Sequence, residues 1–106
     1  MTYHTTDAFG ITELNPPLMR MREVIASVRE DAADVEHPNA WLTHGQSGWT
    51  LTYSAAGVMT LENSDSDEMP SRCIRRMTPV RALELWQLLA SGDVRAVLGQ
   101  PWNALV

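Results

Sequence analysis

The sequence predicts an α+β domain of two layers, with an N-terminal helix, a three- or four-stranded antiparallel meander, and a C-terminal helix followed by a short one. Three observations carry that expectation. Residues 48 to 63 alternate in character on both sides of a glycine-bearing turn, apolar residues recur at helical spacing after Asn15 and again after Thr78, and turn residues separate these blocks.

Residues 1 to 13 are polar and without periodicity, so they are expected to be a loosely held arm of a single domain spanning residues 1 to 106. Asn15 is a suitable N-cap, and Pro16 and Pro17 suit a first helical turn whose N–H groups have no partners. Leu14 is placed to staple onto Met19. Leu18, Met21, Ile25, Val28 and Ala32 then follow at three- and four-residue intervals, with Val24 widening the stripe and Arg20, Arg22, Glu23, Arg29 and Glu30 outside it. This helix should end near Asp34, and the connector Glu36-His37-Pro38-Asn39 follows, because a proline drives the residue before it out of helical geometry.

Ala40 to His44 reads as a short strand, and Gly45-Gln46-Ser47-Gly48 as the turn into the central hairpin. If Ala55, Ala56 and Gly57 form a three-residue loop with Gly57 left-handed, Tyr53 faces Met59 and Leu51 faces Leu61. Trp49, Leu51, Tyr53, Met59 and Leu61 then share one side, opposite Thr50, Thr52, Ser54, Thr60 and Glu62, with Val58 the apolar exception. A polar, acidic loop is expected at 63 to 71 and a fourth strand from Arg72 to Met77. Thr78 and Pro79 repeat the helix-start signal, and Leu83, Leu85, Trp86, Leu88 and Leu89 make a broad apolar face. Gly92 ends that helix, Asp93 caps a shorter one from Val94 to Leu98, and Gly99 with Pro101 stops it.

Composition narrows the function classes. The 106 residues suffice for one core without a metal or disulfide, and no apolar run approaches the roughly 20 residues of a membrane span. The N-terminus lacks the positive start and apolar stretch of a signal, and Cys73 has no second cysteine, which together point to a reducing cytoplasm. All eight basic residues are arginine, which codon usage in a GC-rich genome accounts for without a functional cause. A net charge of −5 disfavours nucleic acid and anionic membranes as partners, since their phosphates repel the domain as a whole.

No catalytic or metal-binding constellation emerges. Gly45-Gln46-Ser47-Gly48 is one residue short of a hydrolase elbow and precedes a strand where the elbow requires a helix. Cys73 beside Ile74 reads as a small buried hydrophobe more readily than as a nucleophile served by His37 or His44. Asn63 to Glu68 alternates oxygen ligands, but Glu68 and Ile74 stand where a calcium loop needs glycine and a bidentate glutamate. His4, His37 and His44 have no metal-ligand spacing, so no cofactor is expected.

What remains is surface. Arg72, Arg75, Arg76 and Arg81 follow directly on Glu62, Asp65, Asp67 and Glu68, which reads either as a local ion-pair network or as a recognition patch. Trp41, on a strand expected at a sheet edge, and Trp102, after the last helix stop, are the candidate exposed aromatic anchors, packing against the end of the last helix being an equally simple role for Trp102, and Trp49 and Trp86 belong to core faces. The expectation is a non-enzymatic, acidic, cytoplasmic protein-binding module, monomeric or homodimeric. Asp65, Asp67, Glu68, Trp41, Arg72, Arg75 and Arg76 are its candidate contacts. An inhibitor or immunity-type protein that covers a bacterial toxin fits this composition, because masking a basic active site needs only shape and negative potential. The alternatives are a regulatory or adaptor domain that dimerises through the edge at Trp41 to His44, and a small-ligand-binding domain or enzyme whose pocket leaves no sequence pattern.

Overall fold

The computed structural model describes residues 2–28, 39–63 and 70–104. In chain order the elements are β1 (Tyr3–Thr6), β2 (Thr12–Leu14), α1 (Leu18–Ala26), β3 (Asn39–His44), β4 (Trp49–Ser54), β5 (Met59–Asn63), β6 (Arg72–Ile74), α2 (Pro79–Ala90), α3 (Val94–Leu98) and β7 (Asn103–Ala104). The strands form one antiparallel sheet of seven, ordered β2-β1-β3-β4-β5-β6-β7. This corrects the expected architecture. The sheet is not a three- or four-stranded meander, and the chain does not begin with a helix, because the first helix follows two strands.

The expected N-terminal arm is a β-hairpin. Its turn is built by Asp7, whose carboxylate Oδ1 accepts from the N–H groups of Phe9 at 2.9 Å and Ile11 at 3.0 Å, with Gly10 left-handed at φ +83°. Thr5 and Thr6 are buried although polar, which a reading of apolar alternation passes over. Asn15 does not cap α1. It lies at φ +50°, donates its N–H to the Tyr3 carbonyl at 2.8 Å and accepts the Tyr3 N–H on Oδ1 at 2.9 Å, so it closes the β1–β2 ladder. α1 starts after Pro17, with no side-chain cap. The expected staple between Leu14 and Met19 does not form, since both side chains are exposed.

Met21, Val24 and Ile25 are buried as the spacing requires, but the helix stops at Ala26 with Ser27 as its C-cap, well before Asp34. Ala32, Asp34 and the connector through Pro38 lie outside the described residues. The central hairpin has the predicted register: Tyr53 pairs with Met59 and Leu51 with Leu61, and Gly57 sits at φ +75°. The Ser54 N–H donates to the Val58 carbonyl at 3.0 Å, so Ala55, Ala56 and Gly57 are the loop.

The buried side chains of β3, β4 and β5, namely Ala40, Leu42, Leu51, Tyr53, Met59 and Leu61, meet Met21, Val24 and Ile25 of α1 and Ala82, Leu85, Trp86 and Leu89 of α2 in one core. Helices therefore cover one face of the sheet. Thr78 caps α2, accepting the Arg81 N–H at 3.2 Å, and Asp93 caps α3, accepting the Ala96 N–H at 3.2 Å, both as expected. β6 ends at Ile74, short of Met77, and β7 supplies a further strand beyond it.

Candidate partner-binding surface

Of the charged candidate contacts that the sequence offers, the structure places only the basic half. Arg72 lies on β6, while Arg75 and Arg76 occupy the bend that follows, Arg76 at φ +59°, and all three side chains are exposed. Among the described residues none of the three pairs with a carboxylate. Arg81 lies on α2, with Nη1 2.7 Å from Glu84 Oε2 and Nη2 donating to Gln100 Oε1, and it shares with Arg76 the lining of one shallow depression. Asp65, Asp67 and Glu68 lie outside the described residues, as does His37.

Trp41 is half-buried, and its strand is interior. β3 pairs with β1 on one side and β4 on the other, so the edge once expected at Trp41 to His44 is already occupied and cannot serve a dimer. Trp41 sits on the sheet face turned away from the helices, in a line of neighbours running Thr12, Thr6, Trp41, Thr52, Thr60, Cys73 and Asn103. A shallow depression of about 300 Å³ lies there, lined by Trp41, Thr43, Thr50, Thr52 and Glu62. The Thr43 and Thr50 hydroxyls bond each other at 2.8 Å, and the lining of this depression is polar except for the indole. Trp102 packs on the end of the last helix. Its indole Nε1 donates to the Val97 carbonyl at 2.7 Å and its ring packs on the core.

The same topology places the candidate nucleophile and bases. Cys73 is buried on the face away from the helices, whereas His44 is buried on the core face, so the sheet itself stands between them. His44 Nδ1 lies 2.7 Å from Ser47 Oγ, three residues away within one hairpin turn, and its buried Nε2 has no hydrogen-bond partner among the described residues. Among the described residues no three His, Cys, Asp or Glu side chains are placed to hold a metal ion.

A surface that the sequence reading missed lies at the first hairpin. Phe9 is 67%, Ile11 55%, Leu14 71% and Met19 75% exposed, and Leu18 is also exposed. They fall within eleven consecutive positions. β2 is the outermost strand there, and the Asp7 N–H to Ile11 carbonyl and Asn15 N–H to Tyr3 carbonyl bonds show that Ile11 and Asn15 turn their backbones toward β1. By alternation the N–H and C=O groups of Thr12 and Leu14 face outward, along an edge that pairs with no strand among the described residues.

Arg20 fixes this edge to α1. Its Nε donates to Glu13 at 2.7 and 2.9 Å, Nη1 to Glu23 at 3.0 Å, and Nη2 lies 3.6 Å from the buried Asp7 carboxylate. The hydrogen bonds to Glu13 and then Glu23 raise the guanidinium's pKa above its already high value, so the cation persists at any working pH. The signal was legible in part: Asp7-Ala8-Phe9-Gly10 is a turn sequence, but the strands around it are too short and polar to show periodicity. Compared with known protein families, curated proteins and solved structures, the chain matches none.

Proposed function

We propose that the chain is a protein-binding module that acts by covering a surface of its partner, as an inhibitor or immunity-type protein does with a bacterial toxin in the cytoplasm. The observation that supports this reading is the first hairpin. Five of the seven exposed large apolar side chains among the described residues, Phe9, Ile11, Leu14, Leu18 and Met19, cluster on it and on the first turn of α1. Scattered exposed hydrophobes are ordinary on any protein surface, but a concentration beside an unpaired strand edge is a place where a partner gains by burial and by main-chain bonding. No helix among the described residues is long and apolar enough to cross a membrane. The net charge of −5 gives a basic partner surface a favourable long-range field.

Affinity capture from the native host, with the full chain and with a Phe9→Ser, Ile11→Ser, Leu14→Ser variant side by side, tests the reading. One protein should be retained by the wild type and lost by the variant, and its expression alone should arrest growth that co-expression of this chain restores. Equal retention by both chains would overturn the role given to the hairpin. A captured protein whose activity is indifferent to this chain would overturn neutralisation.

A further inference from the structure

At the β2 margin of the sheet the N–H and C=O groups of Thr12 and Leu14 point away from β1, two donors and two acceptors in a row. Neither residue makes a main-chain bond on that side, and both are exposed, Leu14 at 71%. The two faces of this edge differ. Thr12, whose hydroxyl meets that of Thr6 at 2.9 Å, and Leu14 opposite His4 lie on the face turned away from the helices, while Glu13 stands between them on the helix face, where Arg20 of α1 holds its carboxylate.

The helix side of the edge is negative. Three carboxylates, of Asp7, Glu13 and Glu23, meet the one guanidinium of Arg20, and the N-terminus of α1 offsets their excess by only about half a charge. Arg22, the next cation on α1, lines the groove on the side of α2. We propose that the β2 edge takes an extended basic segment of the partner protein as an added antiparallel strand. Residues of that segment opposite Thr12 and Leu14 bond the open main-chain groups and lay apolar side chains against Leu14, and the residue between them sets an arginine or lysine beside Glu13 and Glu23. A strand suits the site because its main chain alone supplies donors and acceptors at this spacing. Glu13 in the middle of so short an edge turns away the acidic strands that would otherwise pair there. The proposal rests on the protein-binding reading above and names what occupies the first hairpin.

The test uses the full ¹⁵N-labelled chain and a capped peptide of about seven residues alternating valine and arginine, against the same peptide with glutamate in place of arginine. The arginine peptide should bind about tenfold or more tightly than the glutamate peptide and slow hydrogen exchange at the Thr12 and Leu14 amides. N-methylation at the valines, whose N–H groups face β2, should abolish binding, whereas N-methylation at the arginines, whose N–H groups face outward, should leave it unchanged. A Glu13→Gln, Glu23→Gln chain should lose most of the preference for arginine, with dispersed spectra verifying its fold. Equal affinity for the two peptides, equal tolerance of methylation at either set, or no protection of Thr12 and Leu14 up to about 1 mM peptide would each overturn the added strand. Protection that rises with the concentration of the chain alone would mean that a second copy takes the edge, which overturns the partner strand. With the captured partner, a complex in which Thr12 and Leu14 exchange as fast as in the unbound chain overturns the added strand and leaves the binding function standing. Peptide binding of the expected kind, with no partner neutralised, supports the strand and overturns the neutralisation reading.

Discussion

The indole Nε1 of Trp86 donates to the main-chain carbonyl of Leu51 at 3.1 Å, joining α2 to the central strand β4 across 35 residues of sequence. Both residues have no exposed surface. The bond satisfies the one polar atom of the largest core side chain, and the ring fills the space between helix and sheet. Trp86→Phe, which keeps most of the ring but leaves the carbonyl without this donor, should cost about 1 to 3 kcal/mol. Trp86→Ala should cost about 3 to 5 and Leu51→Ala about 2 to 5 kcal/mol, while Thr52→Ala, on the opposite face, should cost under about 1 kcal/mol. Denaturant unfolding of the four variants checks this, and equal losses at Leu51 and Thr52 would mean that the buried face of β4 is misassigned.

Removing Arg20 should loosen the first hairpin before it affects the core. Three carboxylates on β2, on the β1–β2 turn and on α1 meet at this one guanidinium, and Asp7 is buried, so Arg20→Ala leaves an anion without its counter-charge. A loss of roughly 1 to 3 kcal/mol is expected, partly exposed as the cluster is. Hydrogen exchange should accelerate at Asp7, Ile11 and Asn15 while Leu51 and Leu61 keep their protection. Uniform acceleration through β4 and β5 would show that the hairpin and core unfold as one unit.

Much of the helix-and-hairpin framework is legible because its residues agree with their surroundings. Leu51 and Leu61, Thr78 and Arg81, Asp93 and Ala96 each make the contact that local pattern and cap chemistry predict. The sheet's outer strands are illegible for the converse reason. β1 buries Thr5 and Thr6, β2 exposes Leu14, and β7 is two exposed residues, so none alternates in the sense that marks a half-buried strand. Their pairing comes from partners far along the chain, as in Asn103 opposite Cys73. Asn15 misleads because an N-cap and a left-handed turn residue prefer the same side chain. The candidate surface was hidden with β2, whose position at the edge is a property of strand order.

Tyr53 should make stability fall at high pH. Burial raises the phenol above its ordinary value of 10.0, because the phenolate loses more hydration inside the protein than the neutral form does. In the unfolded chain the group still titrates near its ordinary value. The folded state therefore holds its proton longer, and the associated stability is complete below about pH 10 and is lost as pH rises toward the higher folded value. Tyr53→Phe should remove this part of the slope while giving up only a weak contact of the hydroxyl with the Met77 carbonyl at 3.5 Å. Urea midpoints of both chains between about pH 9 and 11 make the comparison, and parallel curves would exclude Tyr53 as the source.

The acidic and basic surfaces make opposite predictions about partner association. If the chain approaches a basic surface through its net charge of −5, neutralising Asp65, Asp67 and Glu68 together should slow association about tenfold at low salt, with little change in dissociation. Screening shortens the range of that field to about 8 Å at physiological ionic strength, so wild-type and variant rates should converge as salt is added. Arg72, Arg75 and Arg76 are exposed and pair with no carboxylate among the described residues, so they are open to a partner's carboxylates as far as those residues reach. In that case the acidic variant associates normally and an Arg72→Ala, Arg75→Ala, Arg76→Ala variant dissociates faster. Stopped-flow association and dissociation rates of both variants against the captured partner distinguish the two. Unchanged rates in both would sink the electrostatic account and place the interface on the apolar strip from Phe9 to Met19 and on Trp41.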